Sequence, residues 1–257
     1  MKAISSPGNE KIKLLSSLKA EKGRRELGLF LVEGKKMISE AIEAGFSPIT
    51  VLAAGPESIK LAEEIADGAK EAFQVSDSVM KKVSDAVTPQ GIVASFEIPA
   101  AKPLPDEPLV LLDGLQDPGN CGAIWRTCEA AGFGGIVFCE GSANPYVPKT
   151  VRASMGSVFR VPAIVVGECA DFCRELKDKG YDIIVSALDG EDFYKREPLL
   201  NNQKKFALVI GSEGRGVSPQ VIALATKKFR LPMAGKTESL NASVAAGIMM
   251  YELFIRG

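Results

Sequence analysis

The sequence predicts an α/β protein of two domains, and three observations carry that reading. Strand-like and helix-like segments alternate along the whole chain, the pattern of layered sheets and helices. From residue 109 onward the strand-like segments are short, rich in Val, Ile and Leu and mostly uninterrupted, as in a parallel sheet buried on both faces. Between the halves lies 97–108 (EIPAAKPLPDEP), which holds four prolines and reads as a stiff linker. It leaves a first domain over 1–96 and a second over 109–257, both of ordinary size.

In the first domain, Leu29–Glu33 is a short apolar run, followed by a helical pattern to Ala44 that Gly45 closes. Ile49–Ala53 repeats the strand signal and Glu57–Ala66 the helix. Phe73–Val75 and Ser78–Val87 repeat the pair, and Gly91–Glu97 ends the domain as a strand. In the second domain the strands are Leu109–Asp113, Gly135–Cys139, Pro162–Val166, Asp182–Ala187 and Phe206–Gly211. Helical segments are Cys121–Ala131, Lys149–Val158, Cys169–Lys179, Pro219–Thr226 and Asn241–Ile255.

Composition narrows the chemistry. The chain has no histidine, which removes Ser-His-Asp and Cys-His catalysis and zinc sites that need imidazole. The five cysteines include no CxxC and read as buried reduced thiols, so no metal is expected. No apolar run approaches the roughly 18 residues of a membrane span. The start lacks the apolar core of a signal peptide, so the cytoplasm is the expected location. Net charge is −1, but residues 1–36 carry nine Lys/Arg and four Asp/Glu. That basic edge suits either a polyanion or a solvated helix face.

Three strand-to-helix junctions hold more glycine and polar residues than packing requires. The first is 111–120 (LLDGLQDPGN), an Asp-Pro-Gly-Asn turn in which Asn120 is a good N-cap. The helix after it buries Cys121, Ile124, Trp125 and Cys128 on one face and leaves Arg126 off that stripe. The second is 206–218 (FALVIGSEGRGVS), where glycines at the carboxyl end of a buried strand let backbone approach a ligand. It lacks the Lys-Ser/Thr of a P-loop, so a phosphate cradle is a poor reading. The third is 229–241 (FRLPMAGKTESLN), in which Ser239 or Asn241 can cap a last helix with Ala242, Ala245, Ala246, Met249 and Leu253 on one face. Those small residues allow close packing within the subunit or against a second copy.

Together, 113–127 (DGLQDPGNCGAIWRT), 208–218 (LVIGSEGRGVS) and 231–252 (LPMAGKTESLNASVAAGIMMYE) resemble the three motifs of the SpoU (TrmH-like) RNA ribose methyltransferases of the SPOUT superfamily. Residues 4–18 (ISSPGNEKIKLLSSL), Arg24-Arg25 and 29–42 (LFLVEGKKMISEAI) are similar to that family's substrate-binding domain, a looser match. The resemblance implies a C-terminal SPOUT domain with a parallel sheet and a deep trefoil knot, a homodimer, and S-adenosylmethionine as cofactor. It implies catalytic roles for Asn120, Arg126, Glu213, Ser239 and Asn241. It implies cofactor contacts at Gly211, Leu231 and Leu240, with Met233 beside them. Cys121, Trp125 and Cys128 depart from the family's usual small or aliphatic residues.

The implied reaction is 2′-O-methylation of an RNA ribose. Arg126 is the family's candidate to receive the hydroxyl proton. Neutralising a guanidinium of ordinary pKa about 13 at pH 7 costs roughly 8 kcal/mol, so stabilising a developing alkoxide is the plainer role. Glu213 is expected to hold Arg126 or the loop, and Ser239 and Asn241 to orient Arg126 and the substrate. Lys11, Lys13, Arg24, Arg25 and Lys35 are expected to grip RNA phosphates. Ribosomal RNA is the expected target and transfer RNA the alternative. Two other classes compete: a non-catalytic RNA-binding protein that kept the fold, and a nucleotide-dependent enzyme built on the 211–216 loop. The intact polar set opposes the first, and the missing P-loop residues and acidic ribose ligand oppose the second.

Overall fold

A computed structural model of the chain describes residues 1–65, 68–196 and 205–255. They group into two packed units, one of residues 1–100 with 146–159, the other of residues 101–145 with 160–257.

The first unit is a five-stranded sheet flanked by helices. Its strands are β1 (Lys2–Ile4), β2 (Leu29–Glu33), β3 (Thr50–Ala53), β4 (Glu71–Val75) and β5 (Ile92–Glu97), in the order β1-β4-β3-β5-β2. β5 runs antiparallel to both neighbours. The basic first 28 residues, for which sequence periodicity defined no element, fold as β1, α1 (Glu10–Ser17) and α2 (Glu21–Leu27). Asn9 caps α1 by accepting from the Lys11 amide at 2.9 Å. Ile12, Leu15 and Leu18 then bury against α5 (Asp77–Val83) through Val79, Met80 and Val83. α5 stops at Val83, short of the expected Val87, because Ser84 turns extended (ψ 145°) and donates its hydroxyl to the buried Glu33 carboxylate at 2.8 Å. α3 (Lys35–Glu43) and α4 (Pro56–Ile65) complete the layer.

Residues 146–159, expected in the second domain, pack within the first unit. The Tyr146 ring stands 5.1 Å from Phe30, and Phe159 stands 5.4 Å from Phe46. Arg152 reaches Asp85 at 2.9 Å. The single helix expected over Lys149–Val158 is two, α7 (Pro148–Ser154) and α8 (Ser157–Arg160). The break falls at Met155 (φ 49°) and Gly156 (φ 90°), a left-handed pair that ends α7.

The second unit is a six-stranded sheet, every neighbouring pair parallel. Its strands are β6 (Leu109–Asp113), β7 (Gly135–Phe138), β8 (Ala163–Val165), β9 (Asp182–Asp192), β10 (Phe206–Gly211) and β11 (Lys227–Arg230), in the order β11-β9-β10-β6-β7-β8. The central β6 and β10 are buried along most of their length, as continuous apolar runs require. α6 (Pro118–Ala130), α9 (Cys169–Asp178), the four-residue α10 (Pro219–Ile222) and α11 (Ala242–Ile255) flank it. α10 ends four residues before the expected Thr226, whose amide instead joins the sheet by donating to the Ile183 carbonyl at 2.8 Å. The expected linker is half structural. Leu104 packs on the core, the Tyr181 hydroxyl donates toward the carbonyls of Pro105 (3.3 Å) and Glu107 (3.2 Å), and Lys205 meets Asp106 at 2.7 Å.

Candidate active site

The carboxyl ends of β6, β7 and β10 converge, with Asp113 level with Gly211 in register. Ser142, in the turn after β7, staples this edge. Its hydroxyl donates to the Leu112 carbonyl (2.8 Å) and accepts from the Leu115 amide (3.1 Å). Asp113 accepts from the Ser218 amide at 2.7 Å and so fixes the far side of the 211–218 loop. No sequence pattern marked Ser142, and Asp113 lay inside the first junction with no role assigned to it. The only signal was their place at strand carboxyl ends.

The loop after β10 closes on itself. Ser212 and Gly216 exchange backbone hydrogen bonds at 2.9 and 3.0 Å. A Cβ on Gly211 would stand 2.1 Å from the Gly216 carbonyl carbon, so the missing side chain serves this closure before any ligand. The turn presents Glu213 to solvent.

Asn120 is the meeting point. It does not cap α6: Asp117 does, accepting from the Asn120 amide at 2.8 Å, with Pro118 at the first helical position. That leaves the Asn120 side chain free to project. Its Nδ2 donates to Glu213 Oε1 at 2.8 Å, and its Oδ1 accepts from Asn241 Nδ2 at 3.0 Å. Asn241 also caps α11, its Oδ1 accepting from the Ser243 amide (2.9 Å) and hydroxyl (2.6 Å). One residue from each of the three junctions thus meets in a single chain of hydrogen bonds.

Arg126 and Ser239 stand outside that chain. Both are exposed, and neither makes a hydrogen bond or ion pair within the described residues. Of the expected contacts, neither Glu213 nor Asn241 meets Arg126 within the described residues; both bind Asn120. The helix that carries Arg126 is rigidly seated. Cys121, Ile124, Trp125 and Cys128 are fully buried, and Trp125 Nε1 donates to the Val161 carbonyl at 3.2 Å. Leu231 and Met233 are half-buried and Leu240, next to Asn241, is 38% exposed, an apolar cost that the packing of this unit does not repay.

In the first unit, Lys13, Arg25 and Lys35 are exposed as expected. Lys11 is bonded to Glu71 and lies 4.9 Å over the Phe73 ring. Arg24 contradicts its expectation. It is 2% exposed, and its Nη1 donates to the carbonyls of Leu18 and Lys19, each at 2.9 Å. Burial lowers its pKa, with Glu21 opposing. Among the described residues, no group of three or more His, Cys, Asp or Glu is placed to hold a metal, and no helix is long and apolar enough to cross a membrane.

Residues 107–251 match the model of the SpoU rRNA Methylase family, and residues 9–94 match the MRM3-like substrate binding domain. The chain is 31% identical to the 23S rRNA (guanosine(2553)-2′-O)-methyltransferase RlmP of Bacillus subtilis, over 98% of this chain and 99% of that protein. The structure resembles an AdoMet-bound rRNA methyltransferase from Sinorhizobium meliloti, with TM-score 0.87 and 30% identity over 99% of this chain and 98% of that one. It resembles equally the SpoU methyltransferase AviRb from Streptomyces viridochromogenes in complex with AdoMet, with TM-score 0.86 and 28% identity over 96% of this chain and 98% of that one.

Proposed function

The chain belongs to the SpoU rRNA methylase family, and from that premise we propose that it is an S-adenosylmethionine-dependent methyltransferase acting on a ribose 2′-hydroxyl of ribosomal RNA. The observation that carries the reading is the Asn120–Glu213–Asn241 chain of hydrogen bonds, which ties together all three family motifs. The similarity of the whole chain to RlmP, both units included, favours ribosomal over transfer RNA.

The residues at the strand ends suit the cofactor. Leu231, Met233 and Leu240 offer partly exposed apolar surface, and the loop after Gly211 offers open backbone at Gly214 and Gly216, where a Cβ would meet nothing within 4 Å. When bound, S-adenosylmethionine supplies a methyl group already activated on a sulfonium. Arg126 places a fixed positive charge where the ribose oxygen gains negative charge. Its exposure, and the lack of a partner among the described residues, leave the guanidinium available to substrate. Asn120 holds Glu213 and Asn241 in register, so the loops that frame the ribose keep one geometry. Ser239, exposed on the 231–241 segment, is available to the substrate from that side.

The active form is a homodimer. Its support is α11, apolar around its whole circumference yet exposed at Val244 (50%) and Tyr251 (42%) along one face. The family reading also carries a trefoil knot at the C-terminal end, and a ribosomal substrate puts the activity in the cytoplasm. The test is transfer of labelled methyl from S-adenosylmethionine to RNA, with 2′-O-methylation mapped in cells with and without the protein. Absence of any protein-dependent ribose methylation would overturn the reading.

A further inference from the structure

The basic side chains of the first unit are not equivalent. Lys11 is bonded to Glu71, Lys22 faces Glu26, Lys36 faces Glu40 and Lys70 faces Glu97. Arg24 is buried. Of those with no carboxylate partner among the described residues, four stand together: Lys13 on α1, Lys19 at the α1–α2 corner, and Lys81 and Lys82 at the end of α5.

Packing of α1 on α5 gathers them across more than 60 residues of sequence. Lys19 Nζ donates to the carbonyls of Lys82 (2.7 Å) and Ser84 (3.3 Å), and Ser16 Oγ donates to the Lys82 carbonyl at 3.4 Å. Lys13 precedes Ser16 by three residues on α1 and so lies on the same face. Arg24 supports the corner from beneath through the Leu18 and Lys19 carbonyls. The acids Glu10, three residues before Lys13, and Asp77, four before Lys81, share those helix faces but make no ion pair with these lysines among the described residues. The α5 dipole offsets part of the repulsion among these lysines. Four lysines against these two acids leave a net positive field, which a phosphate backbone neutralises by releasing counterions.

We infer that Lys13, Lys19, Lys81 and Lys82 form a phosphate-contacting patch for the RNA substrate. The inference rests on the ribose methyltransferase reading and adds to it where the substrate is gripped. Lys81 and Lys82 lie outside the basic first 36 residues, so charge counting along the sequence could not find them.

The test measures binding of a labelled 23S ribosomal RNA transcript against salt concentration. The triple variant Lys13→Gln, Lys81→Gln, Lys82→Gln loses three phosphate contacts. Its log–log salt slope falls by about 2 and its affinity at moderate salt falls roughly tenfold or more. Lys19 is kept because it also caps α5. Cofactor affinity and thermal midpoint stay at the wild-type values, and the triple variant Lys13→Arg, Lys81→Arg, Lys82→Arg retains RNA binding. If wild type methylates RNA and the Gln variant binds with unchanged affinity and slope, the patch is wrong and the enzymatic reading stands. Equal loss in the Arg and Gln variants also overturns it, because charge is then not the cause. If wild type methylates no RNA, the reading itself falls and the patch with it.

Discussion

Asn120 and Asn241 lie 121 residues apart and meet through their side-chain amides, Asn241 Nδ2 donating to Asn120 Oδ1 at 3.0 Å. Asn120 passes the connection on by donating to Glu213 at 2.8 Å. The Asn120 side-chain amide accepts from one partner with its oxygen and donates to the other with its nitrogen. Asn120→Asp keeps the shape, removes the donor and sets two carboxylates against each other. Turnover is expected to fall roughly 100-fold, the scale of a 1 Å misplacement. The thermal midpoint should barely move, because Glu213 and Asn241 are exposed and Asn120 is only partly buried. Methyl-transfer rates beside calorimetry decide this, and a variant with wild-type turnover shows that the hydrogen bonds serve no catalytic end.

Arg126→Lys tests the fork rather than the charge. Lysine keeps the positive charge but loses the planar set of donors that can bridge a ribose oxygen and a neighbouring phosphate. Among the described residues Arg126 has no partner to lose, so the fold should be indifferent. The expected result is a collapse of turnover with S-adenosylmethionine affinity intact by calorimetry. Near-normal turnover would remove Arg126 from the reaction.

The strands and the buried face of α6 were legible because apolar periodicity states them directly, and Cys121, Ile124, Trp125 and Cys128 are buried as that periodicity requires. β11 was not, because its sequence KKFR is that of a polar sheet edge, with Phe229 alone inside. The cap of α6 was misread by three residues. Asp117 and Asn120 are both good caps, and only the Pro118 position selects the first. The placement of 146–159 was invisible for a different reason. It depends on the aromatic partners Phe30 and Phe46, more than 100 residues away, and local patterns carry no such information. Within the site, motif order identified Asn120, Glu213 and Asn241, but not that they bind one another instead of Arg126.

Arg24 and Arg25 are neighbours with opposite duties, and parallel substitutions should separate them. Arg24→Met removes two hydrogen bonds to backbone carbonyls at the α1–α2 corner. Each carbonyl left unsatisfied costs about 1–3 kcal/mol, so the thermal midpoint should fall by several degrees. Arg25 is exposed, and Arg25→Met should leave the midpoint unchanged. Thermal unfolding of the two variants checks this. Equal midpoints would mean that the Arg24 bonds contribute nothing to stability.

The cysteines give the last test, and its sign follows from burial. Burial pushes the Cys121 and Cys128 thiols up to about 12. Hydrogen bonding to Cys139 raises Cys169 and bonding to Cys169 raises Cys173, with burial adding to both. These groups favour the neutral thiol in the folded chain. Their contribution to stability is complete below the ordinary thiol range and is lost as pH climbs from there toward 12. At mildly alkaline pH the native chain should therefore resist iodoacetamide at all five cysteines, each buried, and take up five equivalents only when unfolded in guanidinium. The same neutrality keeps thiols out of the pH–rate profile, and there is no histidine to enter it. Activity should rise toward alkaline pH, where loss of the ribose hydroxyl proton is easier, with no limb near about 6.5. Rapid native labelling would show an open, reactive thiol. A limb near that pH would require a titrating group that this site does not contain.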